Sequence, residues 1–389
     1  MEVNSKYKVE IIDEDNIGNG ICKIDNFAVF VKGALKGEII DIIITSVKKR
    51  YATAKINRII YPSNYRVIPR CKYYNSCGGC AFLHTNYDNE QIIKQRYLEK
   101  LFNTKVYYLK SNNEFNYRNK VTLHVKDNKL GLYNENTHDI CEINSCLLLH
   151  PLINAKIEEI KRFDLKNISE IMIRCINNKI MISITSKNNN VNIKNIKCDS
   201  LYINKKHIKG EEYLIDEING YKFSIYPESF YQVNREGMQN IYNLVYDYID
   251  NTSSLLDLYC GTGTIGIWIN KKADKITGVE INKSAINNAK INKELNNIQN
   301  IEFICNDAGN INKEFETIIV DPPRNGLANE VVYYLNGSKA KTIIYISCNP
   351  NTLKRDLDNL NSYELKELSA CDMFPKTKHV ECIAVLERK

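Results

Sequence analysis

The residues that could do chemistry in this chain fall at strand ends and in one cysteine-rich loop. Cys348 stands in Lys341-Thr-Ile-Ile-Tyr-Ile-Ser-Cys-Asn-Pro-Asn-Thr352. The Ile343–Ile346 run predicts a buried strand, Asn349-Pro350 a turn, and Leu353–Leu360 a helix capped by Asn351 or Thr352. A cysteine at the carboxyl end of a parallel strand, just before a helix, occupies the place where open α/β sheets hold ligands. A nearby helix N-terminus would lower its thiol pKa. The plain alternative is a small buried hydrophobe.

Carboxylates recur at similar positions. Asp257-Leu-Tyr-Cys-Gly-Thr-Gly263, with Gly266 beyond, reads as a glycine-rich loop between a strand and a helix. Glu280 ends the next strand, where an acid can bind a ribose diol, and Asp307 ends the third, suited to an adenine amino group. Together they describe an adenosyl pocket. No second dinucleotide half follows, so S-adenosylmethionine fits better than a dinucleotide. Asp257 would hold the loop by a hydrogen bond. Asp321-Pro-Pro-Arg324 ends the fourth strand, the prolines stiffening its turn. Amino-group methyltransferases carry a related turn followed by an aromatic residue; Arg324 in that place argues against them.

Cys71-Lys-Tyr-Tyr-Asn-Ser-Cys77-Gly-Gly-Cys80 puts three cysteines within ten residues, a metal-ligand loop. A closed site needs a fourth thiolate, and Cys141 and Cys146 are the candidates. Spacing does not choose between zinc and an iron–sulfur cluster. His84 lies near enough to be a ligand, although a surface position is the better reading.

The elements that must position these groups can be read along the chain. Its 389 residues suffice for two or three domains, and a 43% hydrophobic and 25% charged composition is ordinary for a globular protein. No apolar run reaches the ~18 residues of a membrane span, and Met1–Lys6 has no apolar signal region, so a cytoplasmic protein is expected. Thirteen cysteines, an odd number, make a poor disulfide framework. The net charge of +7 is compatible with a polyanionic partner.

Val9–Ile11, Gly20–Ile24, Ala28–Val31, Glu38–Val47 and Tyr51–Ile60 predict the strands of a small barrel, with a basic, aromatic tip at Lys48-Lys-Arg-Tyr51. Pro62–Pro69 reads as a linker and Gln91–Phe102 as a helix. Strands are expected near 116–125, 129–133, 171–176, 179–184 and 215–225, forming an antiparallel sheet, with a loop or hairpin over 187–198. Arg118 and Lys120 are candidates for RNA contact or for a solvated surface. From Ser254 on, strands and helices alternate, which predicts a parallel sheet covered on both faces.

In order, Cys71…Cys77-Gly-Gly-Cys80, Phe230-Tyr-Gln-Val-Asn234, Asp257–Gly263, Asp321–Arg324, Ser347-Cys-Asn-Pro350 and Phe374-Pro-Lys-Thr-Lys-His-Val-Glu381 run through nearly the whole chain. The set resembles the RNA uracil-C5 methyltransferases, in the branch with a TRAM domain and a [4Fe-4S] cluster that modifies 23S rRNA. The resemblance implies a TRAM/OB-like β-barrel for RNA binding over 1–62. It implies a central antiparallel β-rich domain carrying the iron–sulfur loop over 63–228, with a helix near 88–103 packing on the catalytic domain. Residues 229–389 become a Rossmann-like S-adenosylmethionine-dependent methyltransferase domain. Overall the fold is α/β with all-β accessory parts.

Residue by residue, the resemblance implies Cys348 as nucleophile and Glu381 as general base. It implies Gln232, Tyr259, Thr264, Glu280, Asp307 and Asp321 as cofactor contacts, and Cys71, Cys77, Cys80 and Cys146 as cluster ligands. Leu147 departs from the proline usual after the fourth cysteine. The implied cofactors are S-adenosylmethionine and a [4Fe-4S] cluster ahead of zinc. The implied partner is RNA, 23S rRNA first and a tRNA T-loop uridine as the alternative, with no membrane and a monomeric state. The product is 5-methyluridine. A reading from another class is a non-catalytic assembly factor that binds S-adenosylmethionine and RNA.

Overall fold

The computed structural model describes residues 1–135, 137–188, 191–193 and 195–389. The chain folds into two compact units. One comprises Met1–Asn103, Tyr133–Asp139 and Phe374–His379; the other comprises Thr104–Leu132, Ile140–Met373 and Val380–Lys389. Among the described residues no helix is long and apolar enough to cross a membrane.

The first unit is built on a six-stranded sheet formed by Lys6–Glu10, Asp13–Glu14, Asn19–Ile24, Phe27–Lys32, Ile39–Val47 and Tyr51–Tyr61. Alternation puts Ile40, Ile42, Ile44, Val29, Val31, Ala52 and Ala54 on one side, in one apolar core. Phe27–Lys32 pairs with Tyr51–Tyr61 in parallel, whereas its other partner, Asn19–Ile24, is antiparallel. The tip at Lys48–Arg50 is exposed, and Tyr51 packs edge-on against Phe30.

The segment read as a linker is pinned to this sheet. Glu38 is fully buried and accepts from the amides of Leu35 at 2.9 Å and Ser63 at 3.2 Å and from Arg66 Nη2 at 2.6 Å. Arg66 also donates to the carbonyl of Gly33 at 2.7 Å. The helix Tyr87–Phe102 belongs to the same unit and is capped by Asn86, so it starts four residues earlier than its apolar periodicity suggests. Its buried Glu90 holds Lys94 at 2.8 Å and accepts from the amide of Lys376 at 2.7 Å.

Among the described residues the second unit holds three sheets. The central one runs in the order Ile140–Glu142, Lys129–Tyr133, Lys120–Lys126, Ile168–Ile176, Lys179–Ser186, Ser200–Ile203, Lys206–Gly210. It is antiparallel as expected except where Lys179–Ser186 meets Ser200–Ile203 in parallel. The expected loop over 187–198 lies partly outside the described residues, which omit Asn189, Asn190 and Lys194. A helix absent from the sequence reading, Pro151–Ile160, starts at a proline and is capped by His150. Leu214–Ile218 and Tyr221–Ile225 form a separate hairpin.

The largest sheet has eight strands. Its order is Ile301–Cys305, Ala273–Glu280, Thr252–Leu258, Thr317–Val320, Thr342–Ser347, Glu381–Arg388, Tyr363–Cys371, Tyr107–Leu109. The first five are parallel and nearly all buried, as helices on both faces require. Two features depart from the all-parallel expectation. Glu381–Arg388 runs antiparallel to both of its neighbours. Tyr107–Leu109, from a segment read as part of the central region, adds the edge strand. Three residues carry too little pattern to reveal such a strand. Successive strands step outward in both directions from Thr252–Leu258 and Thr317–Val320, so a crevice opens at their carboxyl ends.

Replacing Arg66 with Met leaves Glu38 buried without its guanidinium and should cost about 3 kcal/mol. Calorimetry should register a lowered unfolding transition, with Glu38→Leu/Arg66→Met recovering most of the loss.

Candidate active site

Every parallel strand of the large sheet delivers a polar group to its carboxyl end. After Thr252–Leu258 the chain turns through Tyr259, a non-glycine residue at φ +63°, and Gly261 and Gly263 at φ +53° and +77°. Gly263 must be glycine, because a Cβ there would lie 2.4 Å from the Phe303 ring. The helix that follows, Thr264–Trp268, is a single short turn, and Thr264 Oγ1 shares a 2.7 Å hydrogen bond with the buried Tyr242 hydroxyl. Glu280 accepts from the Gly261 amide at 3.3 Å and the Asn282 amide at 2.8 Å. Asp307 is exposed and caps a short 3-10 turn through the Gly309 amide at 2.8 Å.

Asp257 is fully buried, and neither of its oxygens has a hydrogen-bond partner. The Gly266 amide favours its charge without a hydrogen bond of regular geometry. Burial first, then repulsion from Asp321, pushes its pKa up to about 8. Burial likewise pushes Asp321 up to about 7. Orphaned carboxylate oxygens behind a glycine cradle fit a cationic ligand with an adenosyl group, the shape and charge of S-adenosylmethionine.

Cys348 follows Thr342–Ser347 directly and is half-buried. Glu381 opens the antiparallel strand beside it and is 6% exposed. The register ends with Ser347 paired to Cys382, so Cys348, just past its strand, and Glu381, the first residue of the next, are the following positions in line. The helix begins earlier than expected, at Pro350, with Asn349 as its cap. Its N-terminus does not win the thiol: burial and the nearby Glu381 raise the Cys348 pKa, against the expectation of a lowered one. Arg324 opposes this, its positive charge favouring the thiolate. Glu381 is pushed up to about 8 by burial and Asp321, with Arg324 again opposing. Arg324 is thus the group that sequence reasoning used only to exclude a class; its motif position was the available signal.

The Phe230–Asn234 segment is held from several sides. Buried Arg174 donates to the carbonyls of Tyr226 at 3.2 Å and Ser229 at 3.0 Å. Asn119 donates to the Gln232 carbonyl at 3.1 Å, and Tyr231 to Asp216 at 2.7 Å. Phe230 itself is 71% exposed. Arg118 and Lys120 are both half-buried, so neither is a freely solvated surface group. Burial and Arg174 lower Lys120 to about 8.

Cys71, Cys77 and Cys80 are half-buried on the loop of the first unit. Its backbone turns through hydrogen bonds from Tyr74 N to Cys71 O at 3.1 Å and from Cys77 N to Tyr73 O at 2.7 Å. His84 is buried, not at the surface, and its Nδ1 lies 2.6 Å from the Tyr74 hydroxyl. In the second unit Cys141 is buried within its strand, whereas Cys146 is half-buried and exchanges hydrogen bonds with Asn154 at 2.9 and 3.0 Å. Among the described residues no three His, Cys, Asp or Glu side chains are arranged to hold a metal ion. The chemistry of half-buried thiols on a glycine-containing loop still suits a soft metal or an iron–sulfur group.

A doubly wound sheet with an adenosyl-type crevice suits a methyltransferase, and comparison with known proteins shows the class. The tRNA (Uracil-5-)-methyltransferase family matches residues 156–389, and the TRAM domain matches residues 1–56. An uncharacterized RNA methyltransferase of Clostridium acetobutylicum is 35% identical, covering 99% of this chain and 97% of its own. One from Caldanaerobacter subterraneus is 32% identical over 100% of this chain and 99% of its own. The crystal structure of Pyrococcus abyssi tRNA (uracil-54, C5)-methyltransferase with S-adenosyl-L-homocysteine is 27% identical. It superposes with a TM-score of 0.83, covering 98% of this chain and 100% of that one. The chain belongs to the TRAM-containing RNA uracil-5-methyltransferases. It is an S-adenosylmethionine-dependent enzyme acting on RNA.

The raised pKa of Asp257 has a thermodynamic consequence. Its folded value of about 8 exceeds the unfolded 3.8, so the native state holds the extra proton between them. Stability is full below the unfolded value and is lost as pH rises toward the folded one. Ligand-free protein should therefore melt lower at pH ~8 than at pH ~5. Asp257→Asn should raise the melting temperature at the higher pH and leave it nearly unchanged below pH ~4.

Proposed function

We propose that the enzyme methylates C5 of a uridine in 23S rRNA through a covalent bond between Cys348 and C6 of the base. The observation that carries this reading is the strand register that sets Cys348 beside Glu381, with Arg324 acting on both. C5 of uracil is a poor nucleophile. Addition of the Cys348 thiolate to C6 moves the ring electrons into an enolate and makes C5 nucleophilic. S-adenosylmethionine supplies the electrophilic methyl group. Once C5 is methylated it still carries its proton, and the Glu381 carboxylate removes it. The returning electrons re-form the C5–C6 double bond and expel the Cys348 thiolate.

Both groups must be ionised, and both have raised pKa values, so activity should climb with pH through neutrality. A cation held near Asp257 and Asp321 favours the ionised carboxyls. Gln232, Tyr259, Thr264, Glu280, Asp307 and Asp321 are the proposed cofactor contacts, Glu280 for the ribose hydroxyls and Asp307 for the adenine. The target base must leave its stack, and exposed Phe230 offers an aromatic face to it or to a neighbour. The N-terminal sheet, with its exposed Lys48–Arg50 tip, is the proposed RNA-gripping part.

A tRNA T-loop uridine is the second reading, supported by the similarity to the Pyrococcus abyssi enzyme. Cys71, Cys77, Cys80 and Cys146 are proposed to carry a [4Fe-4S] cluster as a structural group; the reaction has no reductive step. Anaerobically purified protein should contain about four iron and four sulfide per chain, falling sharply in Cys77→Ser. Stoichiometric zinc with no iron would instead overturn the cluster assignment.

Fluorine at C5 cannot leave as a proton, so 5-fluorouridine RNA should trap the adduct. With S-adenosylmethionine, 23S rRNA so substituted should give a species stable on denaturing gels that Cys348→Ala abolishes. Adduct formed with tRNA alone would move the substrate to tRNA; none with either would sink the covalent reading. Glu381→Gln should accumulate the adduct even on ordinary uridine RNA, with turnover down at least ~100-fold.

A further inference from the structure

The Arg324 side chain can act on Cys348 only if the loop after Asp321-Pro-Pro is held in place. That loop has no regular structure between Val320 and the helix Asn329–Gly337. It is tied instead to the first turns of the helix that follows Cys348. The Arg324 carbonyl accepts from Asn349 Nδ2 at 3.1 Å and Thr352 Oγ1 at 3.2 Å. The Asn325 carbonyl accepts from Arg355 Nη2 at 2.8 Å, and the Leu327 amide donates to Asp356 Oδ2 at 2.8 Å.

Asp356 is the centre of this knot. It is 1% exposed and accepts from the Leu327 amide, from the Tyr345 hydroxyl at 2.6 Å and from Arg355 Nε and Nη2 at 2.8 and 2.6 Å. Tyr345 lies on the strand that ends at Ser347, so one carboxylate joins that strand, the helix and the loop. The fit is close: Gly326 has φ +78°, and a Cβ on it would lie 2.3 Å from Asp356 Oδ2. Fully satisfied buried charge of this kind fixes geometry more than it adds stability.

We propose that Asp356, with Arg355, is a positioning residue for the reaction, locking the Arg324 loop onto the Cys348 helix and so fixing where the Arg324 charge stands relative to the thiol. The proposal rests on the reading of Cys348 as nucleophile. The charged groups acting on the thiol are Glu381, Arg324 and Asp321. A change at Asp356 would therefore reach the thiol through Arg324.

The test measures iodoacetamide alkylation of Cys348 against pH, by peptide mass spectrometry, beside the rate of 5-fluorouridine adduct formation. Asp356→Asn should move the alkylation profile to higher pH and slow adduct formation about tenfold or more. Binding of S-adenosylmethionine should stay within about twofold. Arg355→Lys, at a half-exposed side chain that threatens folding less, should shift both readouts the same way. Arg324→Lys should reproduce the alkylation shift. Wild-type profiles in Asp356→Asn and Arg355→Lys, even with a lowered melting temperature, would reduce the knot to a structural role and overturn the proposal. If Asp356→Asn does not fold, Arg355→Lys decides. Failure of the wild-type enzyme to form any adduct would strike the covalent reading, while the alkylation profiles, which need no RNA, would still decide the positioning.

Discussion

The pairing of Cys348 with Glu381 depends on one strand running against its neighbours. Had Glu381–Arg388 entered the sheet in parallel, its first residue would lie at the opposite end from Cys348. Antiparallel entry brings Glu381 to the carboxyl edge, where the parallel strands already deliver Asp257, Glu280 and Asp321. Backbone hydrogen bonding thus does what no local signal around Cys348 could do, setting a carboxyl and a thiol side by side with the rigidity of a sheet. The arrangement is also demanding. A slip of one residue would turn Glu381 to the other face and bring Cys382 forward. Cys382 and its strand neighbours through Leu386 are buried, which opposes such a slip.

The electrostatic state of the crevice follows from that convergence. Burial raises Asp257, Asp321 and Glu381 alike, and the charge of Asp321 adds to the effect on the other two. A protein that kept all three ionised without a counter-charge would sacrifice stability. The ligand-free site therefore holds protons, and a sulfonium cation is the kind of ligand whose arrival favours their release. Arg324 is the fixed positive charge acting on both the thiol and the Glu381 carboxyl. Its effect on Cys348 is smaller than that of burial and Glu381, so the balance raises the thiol pKa.

Much of this is legible from residue order, for identifiable reasons. Strands that are buried on both faces read as plain apolar runs, and the residue just past each run stands out without its surroundings; Cys348, Glu280 and Asp321 follow this pattern. What escapes is non-local. The direction of Glu381–Arg388 is a matter of pairing, not of pattern. Tyr107–Leu109 is too short to show alternation and joins a sheet formed by residues far along the chain. The thiol pKa is misjudged from sequence because a helix N-terminus is visible there, whereas the carboxyl across the strand is not. His84 reads as exposed because its partner, Tyr74, is found only in the folded loop.

The same distinction between local and non-local signals explains where the chain spends buried charge. Glu90 with Lys94 and Lys376, Glu38 with Arg66, and Asp356 with Arg355 all place carboxylates out of water. Well-packed apolar residues could fill such positions with equal or greater stability. In each case, however, the carboxylate is bonded to backbone amides of an irregular segment: Lys376 in the six residues before Val380, Ser63 after the N-terminal sheet, and Leu327 in the Arg324 loop. An apolar side chain cannot name a particular amide, whereas a buried acceptor penalises every arrangement that leaves it unpaired. Regular strands position the groups at their ends without such help. Loops must be told where to lie, and in this protein buried carboxylates do the telling.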